Sequence, residues 1–337
     1  MSKDPVTQAL RPVDFNRIIE YIPELDKTGI KVDAIPFDPY IDSSDVDPAS
    51  WSKLANIIYE NYHHYDGFVV LHGTDTMAYS ASALSFMLDN LGKAVVFTGS
   101  QLPLGVLRSD ARENLLTAIE IATARENNHP LVPEVCIFFE NTLLRGNRTS
   151  KHNADHFNAF RSHNFPALAQ AGVHIKYAKR LIHYPDPQRG LKLRTKINQH
   201  VAILKVFPGI SEQTVRAILE IPDLRAVVLE TYGSGNAPRQ KWFRKALVEA
   251  TNKGIILVNK TQCAAGSVEM GRYETSLDLV HAGVISGLDI TTEAIVTKLM
   301  YLLGEHESTG EVRKLLQTSL CGEVSSEGDQ PYAEPIC

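Results

Sequence analysis

Six short apolar runs alternate with stretches of helical spacing, and this alternation constrains the fold of the chain more than any other feature. The apolar runs span residues 67–71, 94–97, 134–139, 201–207, 225–229 and 254–258. Runs this short and this uniformly apolar are typical of buried strands in parallel sheets. The intervening stretches, such as 77–90 and 110–124, carry apolar residues at helical intervals. The sequence therefore predicts an α/β fold of parallel sheets covered by helices.

A change of composition divides the chain into two parts. Residues 183–200 (HYPDPQRGLKLRTKINQH) are rich in proline and charge, as interdomain linkers are. We expect a larger amino-terminal domain over residues 1–185, a linker over 186–200 and a smaller α/β carboxyl-terminal domain over 201–325. The polar residues 326–337 are predicted to form a disordered tail.

Composition excludes several classes of function. The formal net charge of the 337 residues is −5, whereas proteins that bind nucleic acid need a basic surface. No apolar run approaches the roughly 18 to 20 residues of a membrane span, and the start, MSKDPVTQAL, lacks the layout of a secretory signal. Four scattered cysteines predict neither disulfides nor a zinc site. We expect a cytoplasmic protein that binds neither nucleic acid nor membranes.

Four polar segments carry the residues with chemical potential. Thr74 and Asp75 follow the apolar run 67–71, and Ser100 follows the run 94–97. Ser43 lies in SSD after FDPYID, and Lys151 ends the segment RGNRTSK after CIFFEN. Loops that leave the same edge of a parallel sheet converge in space even when they are distant in sequence. We therefore expect these five side chains to share one pocket.

The types of residue in this set point to proton transfer without a metal or another cofactor. A lysine beside a carboxylate and a threonine can take a proton from a hydroxyl group or from water. The other hydroxyls and carboxylates would hold a small zwitterion. Each feature alone has a simpler explanation, because Thr-Asp after a strand commonly caps a helix, SSD forms turns and single lysines are usually solvated. Their order and spacing favour a site.

The residues that carry this order also carry a family resemblance. The segment from GFVVLHGTDTMAY to FTGSQLP, with IDSSD before it and LLRGNRTSKHNADHFNAF after it, resembles the type I, cytoplasmic branch of the bacterial L-asparaginases. The segments YGSGNAP, IILVNKTQC and AGVISGLDITTEAIVTKL extend the resemblance through the second domain. It implies hydrolysis of the side-chain amide of L-asparagine to L-aspartate and ammonia, through an acyl-enzyme on a threonine.

The resemblance also implies roles for individual residues. Thr74, Asp75 and Lys151 would form a proton-handling triad, in which Asp75 also binds the α-amino group of the substrate. Asp42 and Ser43 would hold its α-amino and α-carboxylate ends. The family needs no cofactor for this reaction.

Two further residues are implied to take part at the amide and across a subunit boundary. Ser100 would contact the amide that is cleaved. Asn236, in YGSGNAP, would reach the active site of a neighbouring subunit. The resemblance therefore implies a homo-oligomer, either a dimer or a dimer of dimers.

One departure from the family pattern is serious. The resemblance leads us to expect an apolar first strand ending in Thr-Gly-Gly-Thr-Ile-Gly, whose second threonine is the nucleophile, and residues 1–337 do not contain this motif. We expect a missing first strand to leave backbone groups unpaired and the chain as given to have little activity. A start codon assigned too late is the nearest explanation.

Two other hypotheses stay open. One is a catalytically inactive, asparaginase-like interaction subunit or paralogue. The other is the archaeal tRNA-dependent amidotransferase subunit, which should carry an additional barrel and a basic face that this sequence lacks. The genomic sequence upstream of Met1 discriminates best, because an in-frame Thr-Gly-Gly-Thr segment restores the enzyme and a stop codon favours the inactive paralogue.

Overall fold

A computed structural model describes residues 2–3, 10–11, 22–27, 29–103, 105–271 and 274–325. The predicted tail, 326–337, lies outside the described residues, as does most of the segment before residue 22. Among the described residues, one compact unit comprises the chain up to Ser162 together with Ala167–Leu193. The second unit comprises His163–Pro166 and the chain from Arg194 onward. The main change of unit, between Leu193 and Arg194, falls within the segment predicted as a linker.

The first unit is built on a six-stranded sheet. Its strands are β1 (Phe68–Leu71), β2 (Val95–Thr98), β3 (Val135–Phe139), β4 (Thr142–Arg145), β5 (Ala169–Gln170) and β6 (Lys176–Tyr177). They lie side by side in the order β6-β5-β4-β3-β2-β1. The pairs β1/β2 and β2/β3 are parallel, whereas β3/β4, β4/β5 and β5/β6 are antiparallel. The predicted α/β class is therefore confirmed, but the sheet of this unit is only half parallel.

The antiparallel half arises from a tight reversal after β3. Glu140 and Asn141 adopt positive φ angles of 43° and 63°, and β4 returns beside β3. Asparagine tolerates this left-handed backbone better than most residues. Because of this reversal, the segment RGNRTSK begins at the opposite end of the sheet from the end of β3, which the apolar pattern alone did not predict.

Three helices accompany this sheet: α1 (Pro48–Asn61), α2 (Met77–Met87) and α3 (Ala111–Thr123). The Asp47 carboxylate caps α1 by accepting from the Ser50 N–H at 2.8 Å, and Pro48 occupies the first turn, where a missing N–H has no cost. The helix α2 is buried along nearly its whole length. It ends three residues before the predicted Asn90, because Leu88–Asp89 pairs with Lys192–Leu193 in a two-stranded ribbon.

Short elements complete the first unit. Turns of 3-10 helix span Pro23–Lys27, Ser43–Asp45, Gly146–Arg148 and Lys179–Leu181. Two-residue ribbons pair Ser2–Lys3 with Leu10–Arg11, Arg125–Glu126 with His129–Pro130, and Ser150–Lys151 with Phe160–Arg161.

The strand β1 lies at an edge of the sheet. Phe68 and His72 donate their N–H groups to Ala94 and Thr98 of the β2 side, each at 2.9 Å. Because backbone groups alternate in direction along a strand, those of Val69 and Leu71 face away from β2. No strand in the described part of the chain pairs with that side, and Leu71 is 43% exposed.

The second unit contains a fully parallel sheet. Its strands are β7 (Val201–Lys205), β8 (Ala226–Thr231), β9 (Ile256–Thr261) and β10 (Ile285–Ser286), in that spatial order. Its helices are α4 (Glu212–Leu219), α5 (Lys241–Asn252), α6 (Glu274–His281), α7 (Thr292–Glu305) and α8 (Thr309–Leu316). The central strands β8 and β9 are buried throughout. This unit matches the predicted alternation of strands and helices, although β7 is only partly buried.

Candidate active site

The turn that follows β1 presents the first two candidate residues. We call residues 72–76 the Thr74 turn, since it carries Thr74 and Asp75 between β1 and α2. Thr76 stands at the N-cap position of α2 but makes no side-chain cap bond. Its hydroxyl instead donates to the Ser43 carbonyl at 2.5 Å. The turn therefore contacts a remote segment, which simple helix capping does not explain.

Lys151 reaches the same place by a different route. After β4 the chain forms the buried turn Gly146–Arg148, then the short strand that ends at Lys151. Its Nζ donates to Thr74 Oγ1 at 2.8 Å and to Asp75 Oδ1 at 2.6 Å. The lysine side chain is 18% exposed, whereas that of Asp75 is 63% exposed. The amine is thus held inside, while the carboxylate keeps solvent-facing surface for a ligand.

Two anchors fix the approach of Lys151. Arg145, at the end of β4, is buried and forms a bidentate ion pair with Glu134, with N···O distances of 2.6 and 3.1 Å. A Cβ on Gly146 would lie 2.9 Å from the Val135 carbonyl, so only glycine fits this close approach. The segment RGNRTSK is therefore held rigidly against β3, and its last residue is positioned accordingly.

Ser43 lies against the Thr74 turn through a second glycine. A Cβ on Gly73 would lie 2.4 Å from Ser43 Oγ, which is too close for any side chain at position 73. Ser43 is 4% exposed. The structure therefore brings Ser43, Thr74, Asp75 and Lys151 together, as the sequence predicts, while their individual roles in binding and catalysis stay predictions.

The neighbouring Asp42 is directed toward its own turn. Its Oδ1 accepts from the Ser44 N–H at 2.9 Å and from the Ser44 hydroxyl at 2.8 Å. These hydrogen bonds, the backbone one first, lower the pKa of the Asp42 carboxyl. Asp42 is consequently a carboxylate at neutral pH, with Oδ2 outside both bonds. Its predicted contact with the substrate stays a prediction.

Ser100 lies directly after β2, beside a residue that sequence reasoning missed. Gln101 donates from Nε2 to the carbonyls of Ala154 and His156, at 3.3 and 2.9 Å, and its Oε1 accepts from Thr74 Oγ1 at 3.3 Å. Gln101 therefore joins the Thr74 turn to the loop that follows Lys151. Its position after a strand end, next to Ser100, is the signal that could have identified it.

Three more missed residues, His72, Ser80 and Trp51, lie behind the turn. His72 Nε2 is 2.9 Å from Ser80 Oγ, and Trp51 Nε1 donates to the same oxygen at 3.0 Å. A histidine that directly precedes Gly-Thr-Asp at a strand end was visible in the sequence. Its partners on α1 and α2 were not.

Asn236 belongs to the second unit. It closes a tight turn in which the Tyr232 N–H donates to the Asn236 carbonyl and the Asn236 N–H to the Tyr232 carbonyl, both at 2.8 Å. Gly233 and Gly235 permit the turn, with φ angles of 49° and 111°. Its predicted reach into a neighbouring subunit stays a prediction.

The structure corrects one part of the sequence argument. The prediction had all four loops leaving one edge of a parallel sheet. Only the loops after β1 and β2 do so, because Ser43 follows irregular chain and Lys151 follows an antiparallel return strand and a 3-10 turn. Side-chain packing against Gly73 and Gly146, rather than strand direction, completes the site.

Two other types of site are absent from the described residues. Within these ranges, no group of three or more His, Cys, Asp or Glu side chains is arranged to hold a metal ion. Among the same residues, no helix has the length and apolar character needed to cross a membrane.

Comparisons with known proteins match asparaginases over most of the chain. The family model "Asparaginase, N-terminal" matches residues 1–183, and "Glutaminase/Asparaginase C-terminal domain" matches residues 200–316. The chain is 49% identical to L-asparaginase 1 of Escherichia coli K12 over 291 residues, which cover 86% of this chain and 83% of that protein. The crystal structure of L-asparaginase I from Vibrio cholerae superposes with a TM-score of 0.85 at 42% identity, covering 97% of this chain and 95% of that one.

A relative with a different name matches over about half of its own length. The chain is 45% identical over 288 residues to the human 60 kDa lysophospholipase, and the match covers 85% of this chain but 49% of that protein.

Proposed function

Because the chain belongs to the asparaginase family, we propose that it serves the hydrolysis of the side-chain amide of L-asparagine to L-aspartate and ammonia. The observation that carries this proposal is the position of the Lys151 amine. It lies 2.8 Å from the Thr74 hydroxyl oxygen and 2.6 Å from Asp75, although the lysine is 76 residues from the nearer of the two in the chain.

This geometry supports a proton relay. A charged Lys151 donates to both Thr74 and Asp75, and after it releases one proton to the surrounding water the neutral amine accepts the Thr74 hydroxyl proton instead. The hydroxyl oxygen of Thr74 then takes a proton from a nucleophile within hydrogen-bond reach of it. In the reverse direction, a proton passes from Lys151 through the Thr74 hydroxyl to the leaving ammonia.

The residues around the relay supply contacts for an amino-acid zwitterion. The exposed Asp75 carboxylate and Oδ2 of Asp42 face an α-ammonium group in our proposal, and the Ser43 hydroxyl meets the α-carboxylate. Ser100 contacts the amide. Charge-assisted hydrogen bonds of this kind are about twice as strong as neutral ones, which favours an amino acid over an uncharged amide.

The nucleophile is the part of the mechanism that these 337 residues do not supply in our proposal. An acyl-enzyme on the threonine of Thr-Gly-Gly-Thr-Ile-Gly needs a motif that the sequence does not contain. One side of β1 pairs with no strand among the described residues, and an additional parallel strand there would bring such a motif next to the Thr74 turn. We therefore propose that residues 1–337 alone bind L-asparagine but hydrolyse it slowly.

The assembly and location of the protein follow the same family relationship. We propose a homo-oligomer, dimeric or a dimer of dimers, in which Asn236 approaches the site of a neighbouring subunit. We also propose a cytoplasmic location, as in the type I branch. The second candidate function, an inactive interaction subunit, rests on the absent Thr-Gly-Gly-Thr motif.

One experiment separates these proposals. Ammonia release from L-asparagine is measured for the 337-residue protein and for a fusion that adds an apolar strand ending in Thr-Gly-Gly-Thr-Ile-Gly before residue 1. We expect turnover by the fusion and only background release by the unextended protein. A fusion whose Thr-Gly-Gly-Thr is changed to Thr-Gly-Gly-Val controls for restored folding without the hydroxyl.

The possible results have distinct meanings. A folded fusion with no turnover would favour the interaction subunit. Full turnover by the unextended 337 residues would show that another group is the nucleophile.

A further inference from the structure

A hydrogen-bond chain lies directly behind the Thr74 turn. His72 Nδ1 is 2.7 Å from the Gly73 carbonyl oxygen, and His72 Nε2 is 2.9 Å from Ser80 Oγ. Trp51 Nε1 donates to Ser80 Oγ at 3.0 Å. The chain thus connects α1, α2 and the end of β1.

Chemistry fixes the direction of two of the three hydrogen bonds in this chain. An indole N–H can only donate, and a carbonyl oxygen can only accept. The Ser80 hydroxyl therefore accepts from Trp51, and His72 Nδ1–H donates to the Gly73 carbonyl. These contacts place a proton on Nδ1, and in the neutral imidazole Nε2 then accepts from the Ser80 hydroxyl.

A charged imidazole would reverse the hydrogen bond to Ser80. It would carry a proton on both nitrogens, so the Ser80 oxygen would face a second donor and its own proton would lose its acceptor. Three uncharged groups contact the ring: the Ser80 hydroxyl, the Gly73 carbonyl and the Phe97 ring, whose centroid lies 5.8 Å from that of His72. Burial lowers the pKa of His72, which acts in the same direction, and no charged side chain is among the causes of this shift.

The peptide held by this chain has little freedom to move. The His72 N–H donates to the Thr98 carbonyl at 2.9 Å, which continues the β1/β2 ladder. A Cβ on Gly99 would lie 2.4 Å from the His72 carbonyl oxygen, so the backbone there is closely packed as well. His72 therefore holds the polypeptide immediately before Thr74 in two ways. Its backbone N–H bonds to Thr98, and its ring bonds to the Gly73 carbonyl.

We propose that His72 is a positioning residue. In its neutral Nδ1–H form, the His72 imidazole fixes the Gly73 peptide and thereby orients the Thr74 turn. Its ring bonds to the Gly73 carbonyl and to Ser80, so its action on the Thr74 turn passes through Gly73. The assignment of the tautomer is independent of the proposed function. The predicted effect on ligand binding rests on the proposed function.

The first test is spectroscopic and uses the whole 337-residue protein. Long-range ¹H–¹⁵N correlation spectra report which imidazole nitrogen is protonated, and the signals of His72 are identified by their loss in His72→Gln. We expect the Nδ1–H tautomer to persist to a pH below 6.5, the ordinary value for histidine. An Nε2–H tautomer, or titration at or above pH 6.5, would overturn the proposal.

The second test measures the turn itself. Backbone ¹⁵N order parameters of residues 73–76 report motion on the picosecond to nanosecond scale. We expect them to fall in His72→Phe and in Ser80→Ala by similar amounts, with little further change in the double variant, because both changes break one chain. His63→Phe, at an exposed histidine in the same unit, is the matched control. Unchanged order parameters in folded His72→Phe would refute a positioning role.

Binding of L-aspartate separates this proposal from the proposed function. Calorimetry should show about tenfold weaker binding to His72→Phe than to the wild type, a difference of about 1.4 kcal/mol, and unchanged binding to His63→Phe. Absence of binding to the wild type would count against the proposed function, and the order parameters would still decide the role of His72. Equal binding by the wild type and a His72→Phe protein with a loosened turn would overturn the proposed consequence for binding.

Discussion

The two units of the molecule both place polar residues at the carboxyl ends of parallel strands, but only one of them leaves those residues open. In the first unit, the side chain of Asp75 is 63% exposed beside Lys151. In the second unit, the strand ends of β8 and β9 carry Glu230, Thr231, Asn259, Lys260 and Thr261, each no more than 8% exposed.

The polar groups of the second unit satisfy one another. Thr231 Oγ1 donates to Asn259 Oδ1 at 2.6 Å, and Lys260 Nζ donates to the Thr261 carbonyl at 2.7 Å. Thr292 Oγ1 donates to Glu230 Oε1 at 2.8 Å. Polar residues at a strand end therefore indicate a site only when their hydrogen-bonding capacity and surface are left for a ligand. Within the second unit, this cluster serves the fold.

The largest expected difference is in kcat, between substitutions of Lys151 in the first unit and Lys260 in the second. In a catalytically competent fusion, Lys151→Met should lower kcat by a factor of about 10² to 10⁴, the usual contribution of a positioned acid or base. Its effect on KM should be smaller, because its role is proton transfer. Lys260→Met, the matched change in the second unit, should leave kcat within a factor of about three and act on stability instead.

Steady-state kinetics of both variants, with melting curves to confirm folding, make the comparison. Equal losses of kcat would show that the two clusters do not differ in the way proposed. Unchanged kcat in Lys151→Met would remove this residue from the mechanism.

A smaller contrast is expected between two threonines. Thr231→Val leaves the buried Asn259 Oδ1 without its donor, which should lower the free energy of unfolding by about 1 to 3 kcal/mol. Thr74→Val, at a half-exposed position, should change it by less than about 0.5 kcal/mol while it abolishes turnover in the fusion. Urea unfolding of both variants measures the difference. A larger loss of stability for Thr74→Val than for Thr231→Val would reverse our assignment of the two clusters.

The same contrast explains how far the sequence could predict the site. The apolar run before Thr74 predicts β1 and the position of the Thr74 turn, and the run before Ser100 predicts β2. The position of Lys151 was predicted for the wrong reason, since it depends on the reversal after β3 and on the close packing of Gly146. Residues that act through contacts distant in sequence, such as Gln101, carry no periodic signal of their own.

The domain assignment shows a similar limit. The change of unit between Leu193 and Arg194 lies inside the proline-rich and charged segment 183–200, while the domain bounds drawn from that segment stay a prediction. Residues His163–Pro166, which belong to the second unit, have no comparable signature.

The smallest expected effect is a dependence of stability on pH in the second unit. Burial lowers the pKa of Lys260 from its ordinary value of 10.5. Between that lowered value and 10.5, the unfolded chain binds more protons at this lysine than the folded chain does, so this group makes the unfolding free energy rise with pH. The slope from one group is at most about 1.4 kcal/mol per pH unit. Lys260→Met should remove this contribution.

Unfolding free energies of the wild type and Lys260→Met at several alkaline pH values test this. Identical pH dependences would show that Lys260 is solvated in the folded protein, and the contrast between an open and a closed cluster would lose its electrostatic part.

The most direct test of the account is a crystal structure of the 337-residue protein with L-aspartate. We predict one ligand per chain at the Thr74 turn, with its α-ammonium group on Asp75, its α-carboxylate beside Ser43 and its side-chain carboxylate near Thr74 and Ser100. A ligand bound in the second unit, with the Thr74 turn unoccupied at saturating L-aspartate, would contradict the claim that this turn and Lys151 form the substrate site.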